Sequence, residues 1–345
     1  MPVTHRLDRF QRRHRWAGLP LAVLYKFVDD QGNYLAALLT YYGFLSMFPL
    51  LLLAVTVLGF TLHGNAHLQH QVLNSALTDF PVIGKQIQTG LGSYSGSATA
   101  LTIGIVGSIY GGLGIAQAGQ NAMNVAWGVP RNLRPNPIRA RLRSLGILTF
   151  LGLGVLATTG LSALVTNARS LTNDLHLGMG AQVLASVLSV ALNLLLFTVA
   201  FRILTVAAVT VRDVLPGAVV AALAWQVLQA LGTYYVAHKL KGSSEIYGTF
   251  AVVLGLIAWI YVESVVLVLC AEFNVVVRHR VWPRALLTPF TDNVTLTAAD
   301  EQAYRSYAQS QRFKGFEKID VQFEDPSAPG GPEPPPSSSE SESPA

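Results

Sequence analysis

The chain has 345 residues, of which 51% are hydrophobic and only 12% charged, and its mean hydropathy is +0.41. A soluble domain carries about 25% charged residues, so this composition, with several apolar runs of about 20 residues or longer, argues against a soluble enzyme and for an integral membrane protein. The net charge of +5 then reports topology before it reports nucleic acid, and a single cysteine, Cys270, leaves no internal disulfide and no multi-cysteine metal site.

Residues 1–34 read as a basic lead-in followed by an amphipathic helix. Arg6, Arg9, Arg12, Arg13 and Arg15, with Trp16 among them, suit contact with anionic headgroups. From Pro20 to Tyr34, Leu21, Leu24, Tyr25 and Val28 recur at helical spacing, and Pro20 suits a first helical turn. The spacing predicts a helix lying along the inner interface. Asp8, Asp29 and Asp30 interrupt the stretch, which is unlike a cleavable signal peptide.

The first apolar span runs from about Leu35 to Phe60 and carries no charge. Pro49 within it frees a backbone carbonyl, which fits either a kinked packing helix or a broken helix beside a cavity. Residues 61–97 are polar and hold one Lys or Arg, Lys85. His63, His67 and His70 fall at i, i+4 and i+7, a spacing that could bind zinc. Gly64-Asn65 interrupts that face and no carboxylate lies close, so a wet interfacial loop is the plainer reading.

The second span, Ala98 to Ala126, is rich in glycine, and Gly107 with Gly111 forms a GxxxG pair suited to close helix packing. Gln117, Gln120, Asn121 and Asn124 follow at one end. The loop 127–144 holds Arg131, Arg134, Arg139, Arg141 and Arg143. Aromatic interleaving and any nucleic-acid-binding module are missing, so the loop reads as an inside signal and nucleic acid is not an expected partner.

The third and fourth spans cover about Leu145–Thr166 and Gly180–Phe201, the fourth with Asn193 inside it. The fifth, Val214–His238, opens with Pro216-Gly217, a helix-packing entry, and contains Gln226. After a polar hairpin from Lys239 to Glu245 comes the sixth, Ile246–Val277, with Glu263 and Glu272. Twenty lysines and arginines fall on the side of the termini and four on the other, which predicts six spans with both termini cytoplasmic. The membrane domain is thus 35–280. A short cytoplasmic segment, 281–325, contains a helix capped near Thr297 and a strand-like alternation over 319–323. Residues 326–345, rich in Pro, Ser and Glu, read as a disordered tail.

Asn193, Gln226 and Glu263 each fall near the middle of a span. Facing inward they would form either a polar clamp or a substrate or proton site, with Tyr41 and Tyr42 at the inner mouth. Glu272 lies nearer the inner interface, where an ion pair with Arg202 or Arg212, or with Arg278, is expected. HExxH, GxSxG, P-loop and paired metal-binding carboxylates are missing, so neither catalysis, a cofactor nor ATP-driven transport is expected.

Several strings carry a family resemblance. Tyr34-Leu35-Ala36-Ala37-Leu38-Leu39-Thr40-Tyr41-Tyr42-Gly43-Phe44-Leu45-Ser46-Met47-Phe48-Pro49-Leu50 resembles the first-span signature of the YihY/BrkB family of bacterial inner-membrane proteins. Arg212-Asp213-Val214-Leu215-Pro216-Gly217-Ala218 resembles its fifth-span entry. Tyr247-Gly248-Thr249-Phe250, Trp259-Ile260-Tyr261-Val262-Glu263 and Ala271-Glu272-Phe273-Asn274 resemble its last span. Cys270 departs from the pattern, standing where the family often has glycine. The resemblance covers about residues 20–280 and implies a six-span envelope protein, linked in some members to serum resistance or lipid export. The older label of that family, ribonuclease BN, finds no nuclease chemistry in these residues. The expectation is a multi-pass protein of the bacterial plasma membrane whose partners are membrane lipids, with self-association left open. It moves a lipid or envelope solute, or alternatively serves as a non-transporting scaffold.

Overall fold

The structure, a computed structural model, describes residues 2–61, 98–136, 138–150, 152–154, 178–239, 248–289, 291 and 294–323. Among these residues every regular element is helical and no strand occurs. The helices are α1 (Pro2–Arg13), α2 (Arg15–Asp29), α3 (Gly32–Thr61), α4 (Ala98–Ala126), α5 (residues 138–150), α6 (Gly178–Leu204), α7 (Val211–Lys239), α8 (Gly248–His279) and α9 (Ala298–Ser310).

The long helices form where apolar runs lack Asp, Glu, Lys and Arg. α3 and α4 hold none of these over 30 and 29 residues, which at the α-helical rise is about 45 Å, more than the roughly 30 Å of a bilayer core. Among the described residues, two segments are long and apolar enough to cross a membrane, Val211–Gly232 with mean hydropathy 1.7 and Val253–His279 with 2.4. Large apolar side chains face outward along these helices, including Val106 and Tyr110 of α4, Leu223 and Val227 of α7, and Phe250 of α8. Water would penalise such a surface, whereas lipid accepts it.

α8 is central, packing on α2, α3, α4 and α7. Its Val268, Cys270, Ala271 and Val275 join Leu35 and Leu39 of α3, Ala118 and Ala122 of α4, Phe201 of α6, and Val214 and Ala218 of α7 in one core. Without a hydrophobic drive separating helix from lipid, close approach must come from small residues. A β-carbon on Gly107 would lie 2.7 Å from Pro49 Cβ, and one on Gly111 would lie 2.6 Å from Ser46 Cα. A β-carbon on Gly114 would strike the Tyr42 ring. These three glycines receive Pro49, Ser46 and Tyr42, one from each of three successive turns of α3, in antiparallel order, so Pro49 sits in the notch that Gly107 leaves. Gly111→Leu is expected to cost about 1–3 kcal/mol through overpacking, read as a lower midpoint of thermal unfolding. An unchanged midpoint would mean that the two helices separate easily.

The α7–α8 contact is equally close. A β-carbon on Gly217 would strike the Cys270 carbonyl, and the Gly217 N–H donates to Asn274 Oδ1 at 2.6 Å. The glycine that allows contact at Cys270 therefore lies on the facing helix. Neighbouring Pro216 lines a hollow with Asp213 and Val277.

The amino-terminal region differs from the single helix expected over 20–34. Pro20 lies inside α2, and the chain breaks at Asp30-Gln31. There Asp30 N–H bonds Lys26 O, and Gln31 turns at φ 55°. α1 folds back over α2 at Gly18, where a β-carbon would lie 2.7 Å from the Gln11 carbonyl oxygen. At the other end of the chain, Thr297 caps α9 in a reciprocal capping box with Asp300. The strand-like alternation over 319–323 forms no strand and the segment is irregular, for want of a second strand to pair with among the described residues. The loop at 62–97, most of the third span, the hairpin after Lys239 and the tail from 324 lie outside the described residues.

Candidate functional site

Asn193, Gln226 and Glu263 lie on α6, α7 and α8, and each is half-buried. The structure does not join them. Glu263 bonds Trp259, one turn earlier on its own helix. Asn193 and Gln226 make no hydrogen bond to it among the described residues. The reason is helix rotation: at this depth α8 faces α3, where Thr40 Oγ1 lies 3.4 Å from Ser264 Oγ, one residue from Glu263. Contact between α6 and α7 is made instead by Phe197 and Trp225, 6.4 Å between ring centroids. Tyr41 and Tyr42 meet edge-on, 5.1 Å between ring centroids, but only one turns into the bundle. Tyr42 packs on Gly114, while Tyr41 faces outward. His63, His67 and His70 lie outside the described residues.

Glu272 has a partner other than Arg202 or Arg212. Both arginines are exposed, and Arg278 pairs with Asp213 at 2.7 Å. Glu272 is wholly buried against α2, where Lys26 Nζ lies 3.2 Å from Oε2. The α2–α8 crossing, seamed by Ala22, Val23 and Val276, brings the lysine there. Lys26 also bonds Asp30, one turn along α2. Burial would push the Lys26 ammonium down, but Glu272 and Asp30 outweigh this and hold it above the ordinary lysine range. Burial raises the Asp30 carboxyl in spite of Lys26. The ion-pair contact leaves both Glu272 oxygens without a hydrogen bond.

A cavity of about 60 Å³ adjoins this cluster, lined by Lys26, Asp30, Trp127, His279 and Tyr304 among others. Trp127 stacks edge-on to His279, and its buried indole N–H has no acceptor. α9 forms one wall of the cavity through Gln302, Tyr304 and Tyr307.

Arg284 holds α9 there. It is 1% exposed, and its guanidinium reaches Asp29 of α2 at 2.7 Å and Asp300 of α9 at 2.6 Å. Its plane also lies over the rings of Tyr25 and Tyr304. Burial alone would lower its pKa, but Asp29 and Asp300 raise it above the ordinary value. Gln11 donates to the Arg284 carbonyl at 2.6 Å, Tyr25 O–H donates to Leu286 O at 2.5 Å, and Asp8 accepts Leu286 N–H at 2.9 Å.

The arginine-rich loop joins the same assembly. Asn132 N–H donates to the Arg312 carbonyl at 3.1 Å, and Arg131 Nε donates to Gln311 at 3.0 Å. Arg134 reaches Asn121 at 3.2 Å. Arg143 donates to Ile203 O and Thr205 O at 2.5 and 2.6 Å, satisfying carbonyls at the end of α6. Of the polar residues ending α4, Gln120 bonds Ser144 and Asn124 accepts Val206 N–H.

Sequence reasoning missed Lys26 and Arg284. Lys26 and Asp30 stand four apart, a visible helical ion pair. Nothing local marked Arg284, because its partners lie 16 and 255 residues away.

The long apolar helices fall within the region of likeness to a known family, and α1 and α9 fall outside it. The family model described as virulence factor BrkB matches residues 23–290. A UPF0761 membrane protein of Azotobacter vinelandii is 27% identical over 252 residues, covering 72% of this chain and 60% of that protein. A UPF0761 membrane protein of Pseudomonas aeruginosa strain LESB58 is 27% identical over 261 residues, 73% of this chain and 61% of that protein. The chain thus spans about three fifths of the length of these relatives. An inner membrane protein of Escherichia coli K12, YhjD, is 23% identical over 298 residues, covering 82% and 87%. No solved structure matches. With its apolar helices, lipid-facing surface and a family match running from α2 to beyond α8, this chain is a membrane protein and belongs to the BrkB family.

Proposed function

We propose that this protein spans the bacterial plasma membrane six times, with both termini cytoplasmic, and moves a lipid or another envelope solute without ATP. It is not an enzyme and uses no cofactor in this reading, and its partners are membrane lipids, with self-association left open. The twenty-to-four distribution of lysines and arginines supports the topology. The observation that carries the function is Glu263, a half-buried acid near the middle of α8, bonded to Trp259 of the same helix. Such a group is costly in hydrocarbon and marks solute or proton paths.

The test is transfer of a headgroup-labelled phospholipid in proteoliposomes, together with lipid profiling of a deletion strain. Glu263→Gln is expected to slow transfer at least about tenfold, the effect of ~1.4 kcal/mol in a barrier. A folded Glu263→Gln protein with wild-type transfer would remove Glu263 from the mechanism. The second reading, a non-transporting scaffold, is favoured by one observation: Glu263 is bonded to Trp259 within its own helix. It predicts no transfer by wild type and an unaltered lipid profile in the deletion strain.

A further inference from the structure

We propose that Lys26, Asp30 and Glu272 form a proton-binding site, in which two carboxylates and one ammonium share an additional proton exchanged through the cavity beneath α9. The inference rests on geometry and on charge count. Glu272 is 0% exposed and Asp30 8%. One cation, Lys26, serves both, in an ion-pair contact with Glu272 at 3.2 Å and a hydrogen bond to Asp30.

The other elements packed on α8 bring no second cation to Glu272. α3 and α4 contain no Asp, Glu, Lys, Arg or His. α7 contributes Arg212, which is exposed, and Asp213, which is taken by Arg278. On α8 itself, Arg278 points to Asp213 and His279 stacks with Trp127. Two buried carboxylates against one ammonium leave a net negative charge that a low-dielectric interface does not tolerate. One bound proton brings the cluster to neutrality. The proton also supplies a hydrogen-bond donor to Glu272, whose cationic neighbour Lys26 lies at ion-pair distance.

Water has a route to the cluster. Lys26 and Asp30 line the cavity of about 60 Å³, and a water needs only about 10–15 Å³ of such space. Water there meets Lys26, Asp30, His279 and Tyr304. The site lies at the α9 end of α8, away from Glu263. It deepens the proposed transport reading by naming the proton as the ion that reaches the inner end of the bundle, and only that assignment of side rests on the proposed topology.

The test is infrared spectroscopy of the full chain in lipid nanodiscs at neutral pH, on a Glu263→Gln background so that Glu263 contributes nothing. The spectrum is expected to contain the carbonyl stretch of a protonated carboxylic acid, moved by exchange into D2O while the protein stays folded. Adding Glu272→Gln, or separately Asp30→Asn, is expected to abolish the band, because each leaves one carboxylate to one ammonium. Both replacements are isosteric, and their unfolding midpoints report folding independently. The idea is overturned by any of three results: no such band, a band that survives Asp30→Asn or Glu272→Gln in folded protein, or a band that D2O does not move. No transport assay enters, so this proposal and the transport reading fail separately.

Discussion

Replacing Arg284 with methionine is expected to release the segment after α8 from the amino-terminal helices. Arg284 is 1% exposed and is the cation between Asp300, itself 0% exposed, and Asp29. Methionine fills much of the volume but leaves Asp300 buried without its charge partner. Removing one member of a buried pair costs about 3–5 kcal/mol, more than the pair contributes over a well-packed apolar replacement. The loss is local before it is global. α9 would lose its tie to α2, and residues 281–289 would be held to Gln11, Tyr25 and Asp8 by backbone hydrogen bonds alone. Limited proteolysis should then cut between α8 and α9 in the variant and not in wild type, with a lowered unfolding midpoint. Adding Asp300→Asn should recover part of the loss, since the two residues are coupled. Protection of the segment in the single variant would show that its apolar contacts alone suffice.

The second large effect is expected at Lys26. Lys26→Met leaves Glu272 and Asp30 facing one another with no cation, a loss again of about 3–5 kcal/mol. Glu272→Gln and Asp30→Asn should be much milder, because each keeps a one-to-one pair. The pH dependence follows from linkage. The Lys26 ammonium has its pKa raised on folding. Its contribution is therefore complete below the ordinary lysine value and disappears as pH rises through the higher folded value. Asp30 is also raised, so folding takes up protons above the ordinary aspartate range and stability falls as pH rises through that window. Without Lys26 this second slope should steepen, and the variant should regain stability toward acid pH. Unfolding midpoints measured from pH 5 to pH 9 would check this, and parallel wild-type and Lys26→Met curves would remove the cluster as a source of stability.

The helices themselves were legible in the chain. α4 begins and ends at the residues that bound the glycine-rich run, and α3, α6, α7 and α8 end within three residues of their apolar stretches. Burying a helix backbone in lipid requires an uninterrupted apolar run, and such runs are readable without knowledge of neighbours. The GxxxG pair is readable for the same reason, because only small residues admit a close neighbour. Thr297 and Asp300 announce α9 three residues apart, since a capping box is made within one turn.

What the tertiary structure decided was which polar group meets which. Glu263, Gln226 and Asn193 were expected at one depth, and depth was what the sequence could supply. Whether they meet depends on how each helix is rotated about its axis. Lipid and protein interior are equally apolar, so these helices carry no apolar stripe that reveals their inward face. Packing turned α8 so that Ser264 faces Thr40 and Glu272 faces Lys26. The arginines near Glu272 in the expected topology were therefore not its partners. Arg284 was hidden for a related reason: its partners come from α2 and α9, which are brought together by the fold and by nothing local in the chain.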